Sequence, residues 1–306
     1  MLRRVVAISL LSVAAIACGA SAATSEPAVV AKIETGFAPC AAIGGFNWIW
    51  VAHNGSGRIT RVNPRTNKAN GGLRVGSGPC GLAVGAGSLW VDGFGTNTIE
   101  RVDPRRMRVA RRIKVGNRPW DVAFGAGAVW ATNEGDGTVS RIDPRRNRVV
   151  RTIRTGGRPA NMRFGHGSLW VGSTSGNTVF RIDPATNAIT RIRIPGAISP
   201  GSFALSANAA WLADRQTGLV HRIDAATNRV VAQVKVGTNP IIGDAAPDGA
   251  VWIPNQGDHT ISRIDPETNS VTHTIKVGFG PTFVNLAFGD LWVDSFQSTN
   301  VYRVRP

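Results

Sequence analysis

From residue 28 onward the chain is written in short strokes. Apolar and polar residues alternate over about four to eight positions, and Gly, Asn or Asp-Pro then breaks the run. Residues 119–156 show one full period. Pro119 to Phe124 is a short mixed stretch, turned by Gly125-Ala126-Gly127. Ala128-Val129-Trp130-Ala131 reads as a second strand, residues 133–137 as a loop, and Thr138 to Ile142 as an alternating third strand. Asp143-Pro144-Arg145-Arg146-Asn147 predicts a hairpin turn. Pro presets φ, Asp bonds back to the turn, and Asn tolerates the left-handed conformation at its end. Arg148 to Thr155 is the fourth strand, and Gly156 closes it.

This unit recurs at a fixed spacing. Trp50, Trp90, Trp130, Trp170, Trp211, Trp252 and Trp292 stand 40 or 41 residues apart. An Arg follows each by eleven residues: Arg61, Arg101, Arg141, Arg181, Arg222, Arg263 and Arg303. Pro39, Pro79, Pro119, Pro159, Pro200, Pro240 and Pro281 keep the same period. Three markers in seven matched copies define a repeat architecture. Four short strands per copy predict an all-β fold, a seven-bladed β-propeller with four antiparallel strands per blade. A solenoid is the competing repeat fold, and the chain ends argue against it. The last copy stops at Val304-Arg305-Pro306, after its third strand, whereas Ala28 to Gly36 matches Val149 to Gly156, a fourth strand. The N-terminal strand is therefore expected to complete the C-terminal blade and close the ring, making 28–306 one domain.

The stretch Ser140-Arg-Ile-Asp-Pro-Arg-Arg-Asn-Arg-Val-Val-Arg-Thr-Ile-Arg-Thr-Gly-Gly-Arg-Pro159 resembles the YVTN-type propeller repeat. It is also similar to the repeats of virginiamycin B lyase-like proteins, and the likeness runs through residues 28–306. The resemblance implies the propeller fold. It says less about activity, because these motifs are blade scaffolding. Where the family is enzymatic, it implies opening of a cyclic depsipeptide by elimination, with His and Glu side chains and a magnesium ion at the upper mouth. That arrangement has two His one blade apart, the second in a Glu-x-His step. This chain has His53, His166, His221, His259 and His273, no Glu-x-His step, and no two His one blade apart on the upper face. General acid–base work needs groups in mutual reach, so no catalytic residue is transferred. A carbon–oxygen lyase of this kind is kept as the alternative reading.

Repetition separates scaffold from candidate site. A group present seven times is a packing group: the Trp between blades, and the Arg toward the Asp or Asn of its turn (Arg141 and Asp143, for example) or toward a neighbouring blade. Strand alternation puts the fourth-to-first and second-to-third loops on one face, here named upper, and the other two turns on the lower face. Loops converge on the upper mouth of the channel, so the residues that break the repeat there are the candidate contacts. They are Trp120, Asp121, Asn133, Glu134, Asn161, Asp214, Arg215, His53 and Asn255. Trp120 stands outside the Trp register, to stack on a ligand or to pack locally. Arg163, Asp244 and Asn285 replace an Ala found in three other blades, and either line the channel or are solvated there. Cys40 and Cys80 follow the marker Pro of adjacent blades. A disulfide between them is expected if their Cα atoms fall within the limit of about 7 Å.

Composition and charge add location and partners. In 306 residues, 42% apolar content supports a large core and excludes a disordered tail. There are 35 Lys and Arg against 19 Asp and Glu, a net of +16. Residues 101–163 alone hold 16 basic and 5 acidic residues, a net of +11. Arg105, Arg106, Arg108, Arg145, Arg146 and Arg148 fall on lower turns and outer strands of two adjacent blades. Such a patch attracts polyanions, a solvated face being the plain alternative, and no aromatics interleave to make a stacking platform. Residues 1–22 read as an export signal: Arg3 and Arg4, an apolar stretch Val5 to Ala17, and an Ala20-Ser21-Ala22 cleavage site. Ala15-Ile16-Ala17-Cys18 resembles a lipoprotein box with Ala where Leu is usual, so soluble release and a lipid anchor on Cys18 both stand. An extracytoplasmic location, periplasmic or secreted, is expected, where disulfides persist. The acids lack calcium-loop spacing, and neither metal nor cofactor is expected. The sequence thus predicts an exported, monomeric, non-catalytic binding propeller or scaffold. A small molecule or protein would meet its upper mouth, and an anionic envelope polymer, lipid surface or nucleic acid its basic surface.

Overall fold

The computed structural model describes residues 26–306. The expected export segment and Cys18 lie outside the described residues. The described chain forms seven four-stranded antiparallel sheets, six of them running outward from the axis in chain order. Blade 3 shows the pattern: Pro119–Gly125, Ala128–Asn133, Thr138–Asp143 and Arg148–Arg154. Blade 7 takes its first three strands from Pro281–Ala287, Asp290–Ser295 and Asn300–Arg305, and its outermost from Ala28–Glu34. That strand pairs antiparallel with Asn300–Arg305, Ile33 opposite Val301, and so closes the ring.

The lower hairpin turns form as their residues dictate. Asp143 Oδ1 accepts the N–H groups of Arg145 and Arg146 at 2.7 and 3.1 Å. Asn67, Asn147, Asn187, Asn228 and Asn269 end the equivalent turns with φ between +52° and +62°. Asn carries this left-handed conformation at less cost than other residues with a Cβ.

The core lies between blades. All seven repeat Trp are fully buried. Trp90 of blade 2 packs with Val129, Ala131 and Ile142 of blade 3, and Trp292 of blade 7 with Ile49, Val51 and Val62 of blade 1. Burial of a ring this large requires a partner for its N–H. Trp50, Trp90 and Trp130 donate to the carbonyls of Gly45, Gly85 and Gly125 at 2.9–3.1 Å. Trp252 has no such partner. The innermost strand of its blade is only Asp244–Ala245, and the chain leaves it where the other blades supply the acceptor.

The seven-fold Arg turns out to join blades. Arg181 stacks over its own Trp170 with its guanidinium carbon 4.8 Å from the ring centroid. It donates to Ser168 Oγ at 2.9 Å and the His166 carbonyl at 3.1 Å in its own blade. It then crosses to blade 5, donating to the Ala225 carbonyl and to Asn228 Oδ1 at 2.8 Å. Arg101, Arg222 and Arg303 make the same crossing to Asn147, Asn269 and Asn67, and Arg141 reaches Asn187. The expected Arg141–Asp143 contact is therefore replaced by one to the next blade, because Asp143 is occupied by its own turn. Two copies do not cross, each for a visible reason. The turn facing Arg61 ends in Met107 instead of Asn, at φ +49°. Arg61 accordingly bonds Asn70 and lies over Trp48 at 4.2 Å. Arg263 faces the blade split between chain ends, which has no such turn, and bonds Asp248 and Thr272.

Lysine cannot span these acceptors with a planar fork. Arg181→Lys is expected to destabilise the fold by about 1–3 kcal/mol in urea unfolding, and Arg61→Lys by clearly less. Equal losses would show that the crossing bonds contribute nothing.

Candidate functional site

The residue three after each Trp ends the second strand at the upper face. Its side chain meets the residue ten after the Trp, diagonally across on the same face of the sheet. In blade 3, Asn133 Nδ2 donates to Thr138 and Ser140, both at 2.9 Å, while Oδ1 accepts the Gly116 N–H at 3.1 Å. Asn255 repeats this with Thr260, Ser262 and Gly237. His53 bonds Thr60 at 2.9 Å, and burial pulls its pKa down to about 4, so it is neutral. Asp214 accepts the N–H groups of Ile198, Ser199 and Gln216. All four are at most 1% exposed. They are expected contacts that the structure turns inward: Asn133, Asn255 and Asp214 brace the loops by accepting backbone N–H groups, and His53 by its bond to Thr60.

Asp121 and Glu134 are also enclosed. Asp121 Oδ2 accepts the Met162 N–H of blade 4 at 2.9 Å. Glu134 is clamped between Arg158 and Arg118, the latter at 3.1 Å. Trp120, Asn161 and Arg215 keep partial exposure. Trp120 packs edge-on to Phe94 at 5.7 Å, and Arg118 covers the Phe94 ring at 4.8 Å. Asn161 accepts from Ser202 at 3.2 Å, and Arg215 donates to Asn239 and Gln256 at 2.8 and 3.3 Å. The nine residues thus do not converge on one point. Each mostly joins its own loop to a neighbour.

Reading the repeat for unusual residues missed two things. The positions three and ten after the Trp compensate each other in size: Gly93 with Glu100, Ser173 with Phe180 and Ser295 with Tyr302, but Asn133 with Ser140 and Asn255 with Ser262. Comparing the columns pairwise would have marked them as packing partners. The second lies two residues before the marker Pro. Ser77, Asn117, Gly157 and Thr238 stand there in four blades, but Phe37, Ile198 and Phe279 in the others. These three are exposed upper-face side chains, Phe37 and Phe279 each at 65%.

The axis holds a cavity of about 320 Å³, drawn from the middle and lower parts of the innermost strands and so lying below the upper loops. Arg163, Asp244 and Asn285 line it. Asn285 Oδ1 accepts the Gly44 N–H at 3.0 Å, and Asp244 Oδ2 accepts from Asn285 Nδ2 and the Leu286 N–H at 3.1 and 2.9 Å. These side chains satisfy the otherwise unpaired edge of the next blade's inner strand. Arg163 lies 4.8 Å over Phe283 and 3.8 Å from Asp121. Cys40 and Cys80 are joined in a disulfide across blades 1 and 2, with Cα atoms 5.0 Å apart. Arg105, Arg106, Arg108, Arg145, Arg146 and Arg148 are exposed on neighbouring lower turns and outer strands. Arg106 and Arg146 are paired with Asp103 and Asp143. Among the described residues, no three His, Cys, Asp or Glu side chains form a metal-holding group.

Residues 54–209 match the family model described as a repeat of unknown function, DUF6923. The chain belongs to that family. No curated protein matches its sequence. Among solved structures, the chain is similar to virginiamycin B lyase from Staphylococcus aureus, at a TM-score of 0.80 and 16% identity over 90% of this chain and 98% of the other. It is also similar to Kuenenia stuttgartiensis hydrazine synthase, at 0.78 and 18% over 90% and 97%. The WD40 β-propeller domain of Doa1 matches at 0.77 and 12% over 92% and 97%. Identities this low establish the propeller fold, which serves enzymes and binding domains alike.

This DUF6923 member carries buried acids near the upper ends of its second strands, bonded to the start of the inner strand beside them. Asp92 accepts the Cys80 and Gly81 N–H groups at 2.7 and 2.8 Å. Asp294 accepts the Phe283 N–H at 2.6 Å and the Thr282 hydroxyl. Burial outweighs these bonds and pushes Asp294 up to about 7 and Asp92 well above the carboxylate range. The folded state therefore holds a proton on Asp294 that the unfolded chain releases near pH 4. Its contribution to stability falls as pH rises from about 4 to about 7. Asp294→Asn keeps an acceptor for the Phe283 N–H and reverses the bond to Thr282, its amide N–H donating to the hydroxyl. In unfolding midpoints from pH 4 to 8, the variant is expected to gain on the wild type through that window and to run parallel above it. A difference independent of pH would refute the assignment.

Proposed function

We propose that this propeller is a non-catalytic binding protein or scaffold whose partner docks on its upper face. The observation that carries this is the exposure of Phe37 and Phe279 on adjacent blades, where four other blades place Ser, Asn, Gly or Thr. Ile198, 53% exposed, holds the same position in blade 5, with Thr238 of blade 6 between it and Phe279. Isolated exposed apolar residues are ordinary, but three at one repeat position on one face suit an interface. Phe94, Trp120 and Arg118 supply the aromatic and arginine contacts in which binding energy concentrates. With a net charge of +16, the favoured partner is an acidic protein segment with apolar side chains. The reading places the protein outside the cytoplasm, where the Cys40–Cys80 bridge would persist.

The upper-face histidines favour binding over catalysis. His53 is enclosed, and His259 accepts the Gly280 N–H at 3.1 Å while its ring packs against Phe279 at 5.0 Å. A second reading, polyanion binding at the lower turns, is favoured by the six exposed arginines of blades 2 and 3.

The test uses labelled peptides combining Phe or Leu with Glu, and Lys-containing counterparts, measured by fluorescence anisotropy. Phe37→Ser with Phe279→Thr installs residues that blades 2 and 6 already carry at this position, so the fold should melt unchanged. Acidic peptides are expected to bind the wild type, and the double variant about tenfold more weakly. Equal binding would overturn the reading, as would turnover of a cyclic depsipeptide in the presence of magnesium. Binding to duplex DNA that collapses between about 50 and 200 mM salt, unaffected by the double variant, would move the function to the basic turns.

A further inference from the structure

A cleft of about 420 Å³ opens between blades 1 and 2 at their upper edge, lined by strand and loop residues outside the innermost strands. The blade 2 sheet at this wall departs from blades 3 and 6 at two coupled positions, one in the wall and one behind it. Blades 3 and 6 fill this level with an Asn bonded to a Ser, Asn133 to Ser140 and Asn255 to Ser262. Blade 2 has Gly93 and Glu100 instead. Glycine at 93 makes room for the Thr96 hydroxyl, and glutamate at 100 sets a carboxylate in the cleft wall. Glu100 is 1% exposed. Its Oε1 accepts from Arg112 Nε at 3.3 Å, and its Oε2 has no hydrogen-bond partner. An unpaired buried acceptor is rare in folded proteins and points to a missing donor. Glu100, Arg112, Arg74, Thr96, Thr98 and Ser77 all line the cleft.

We propose that this cleft binds a neutral polyhydroxylated molecule of monosaccharide to disaccharide size. The chemistry of the wall selects that class. Glu100 accepts, Arg112 and Arg74 donate, and the hydroxyls of Thr96, Thr98 and Ser77 do both. Hydroxyls on neighbouring carbons each need one donor and one acceptor, which a carboxylate beside a guanidinium supplies. A small anion would meet the buried carboxylate, and a small cation the two arginines, so neither charge is favoured. The volume falls within the range of small-molecule sites. The site uses none of the apolar rim residues Phe37, Ile198 and Phe279.

The test is saturation-transfer NMR and calorimetry on the full propeller. The probes are glucose, galactose, N-acetylglucosamine and trehalose, with citrate and spermidine as charged controls. Two variants accompany the wild type. Glu100→Gln keeps size and removes the charge. The triple variant Gly93→Asn, Thr96→Asp and Glu100→Ser transplants the blade 3 residues into blade 2. Thr96 is included because its hydroxyl occupies the space that a Cβ on residue 93 needs. At least one sugar is expected to bind, about tenfold more weakly in Glu100→Gln and not at all in the triple variant, whose melting should match the wild type. The proposal fails if no sugar binds at about 10 mM, if citrate or spermidine binds in their place, or if sugar binding survives Glu100→Gln unchanged. That last measurement decides the matter even where the triple variant folds poorly.

Discussion

Five of the seven blades are tied to the next by an arginine that leaves its own blade. A four-stranded sheet this small cannot bury its own tryptophan, so the ring must lie under the next blade. The guanidinium above that ring ties down the lower turn of the same neighbour, as Arg181 does at Asn228. Apolar burial sets how much surface two blades share, but it is non-directional. The arginine fork, with acceptors on both blades, fixes their register. Asn at the turn end serves two purposes, tolerating positive φ and offering Oδ1 to the incoming Arg, so one residue type links local turn chemistry to ring geometry.

The same constraint decides where novelty can reside. The lower turns and the tryptophan layer are committed to blade-to-blade bonding in almost every copy. The inner strands are committed too, since Asp121, Asp244 and Asn285 each take up the free edge of the neighbouring blade. Their buried or half-buried carboxylates and amides look like a ligand set but are largely consumed by backbone donors. Freedom to vary is left at the upper-loop residue two before the marker Pro and at the pair of positions that fill the top of each sheet. Those are the places where Phe37, Phe279, Gly93 and Glu100 depart from their counterparts.

Architecture was legible because it repeats. Trp spacing, the Asp-Pro turn and the unmatched N-terminal strand of residues 28–36 foretold blade number, strand number and ring closure, and the structure has all three. The placement of Arg163, Asp244 and Asn285 around the axis was also within reach, as was the proximity of Cys40 and Cys80. What a single chain does not display is the direction in which a variable polar side chain points. Asn133 and Asn255 differ from their counterparts for the same reason that Ser140 and Ser262 do, and only the pair has meaning. Arg141 was ambiguous because its nearest Asp in sequence is already saturated by the turn, a fact about geometry rather than about residue type.

The junction of blades 1 and 2 gathers three irregularities: the Cys40–Cys80 bond near the axis, Met107 where a crossing arginine would find Asn, and the polar cleft above. At this junction a covalent bond holds the inner edge. The lower outer edge rests on contacts of Met107 and Trp48 with the shared apolar cluster, which resist sliding weakly. The disulfide, rather than an arginine fork, is therefore the directional link between blades 1 and 2. At the junction of blades 6 and 7, where Arg263 also stays in its own blade, no covalent bond among the described residues takes the fork's place.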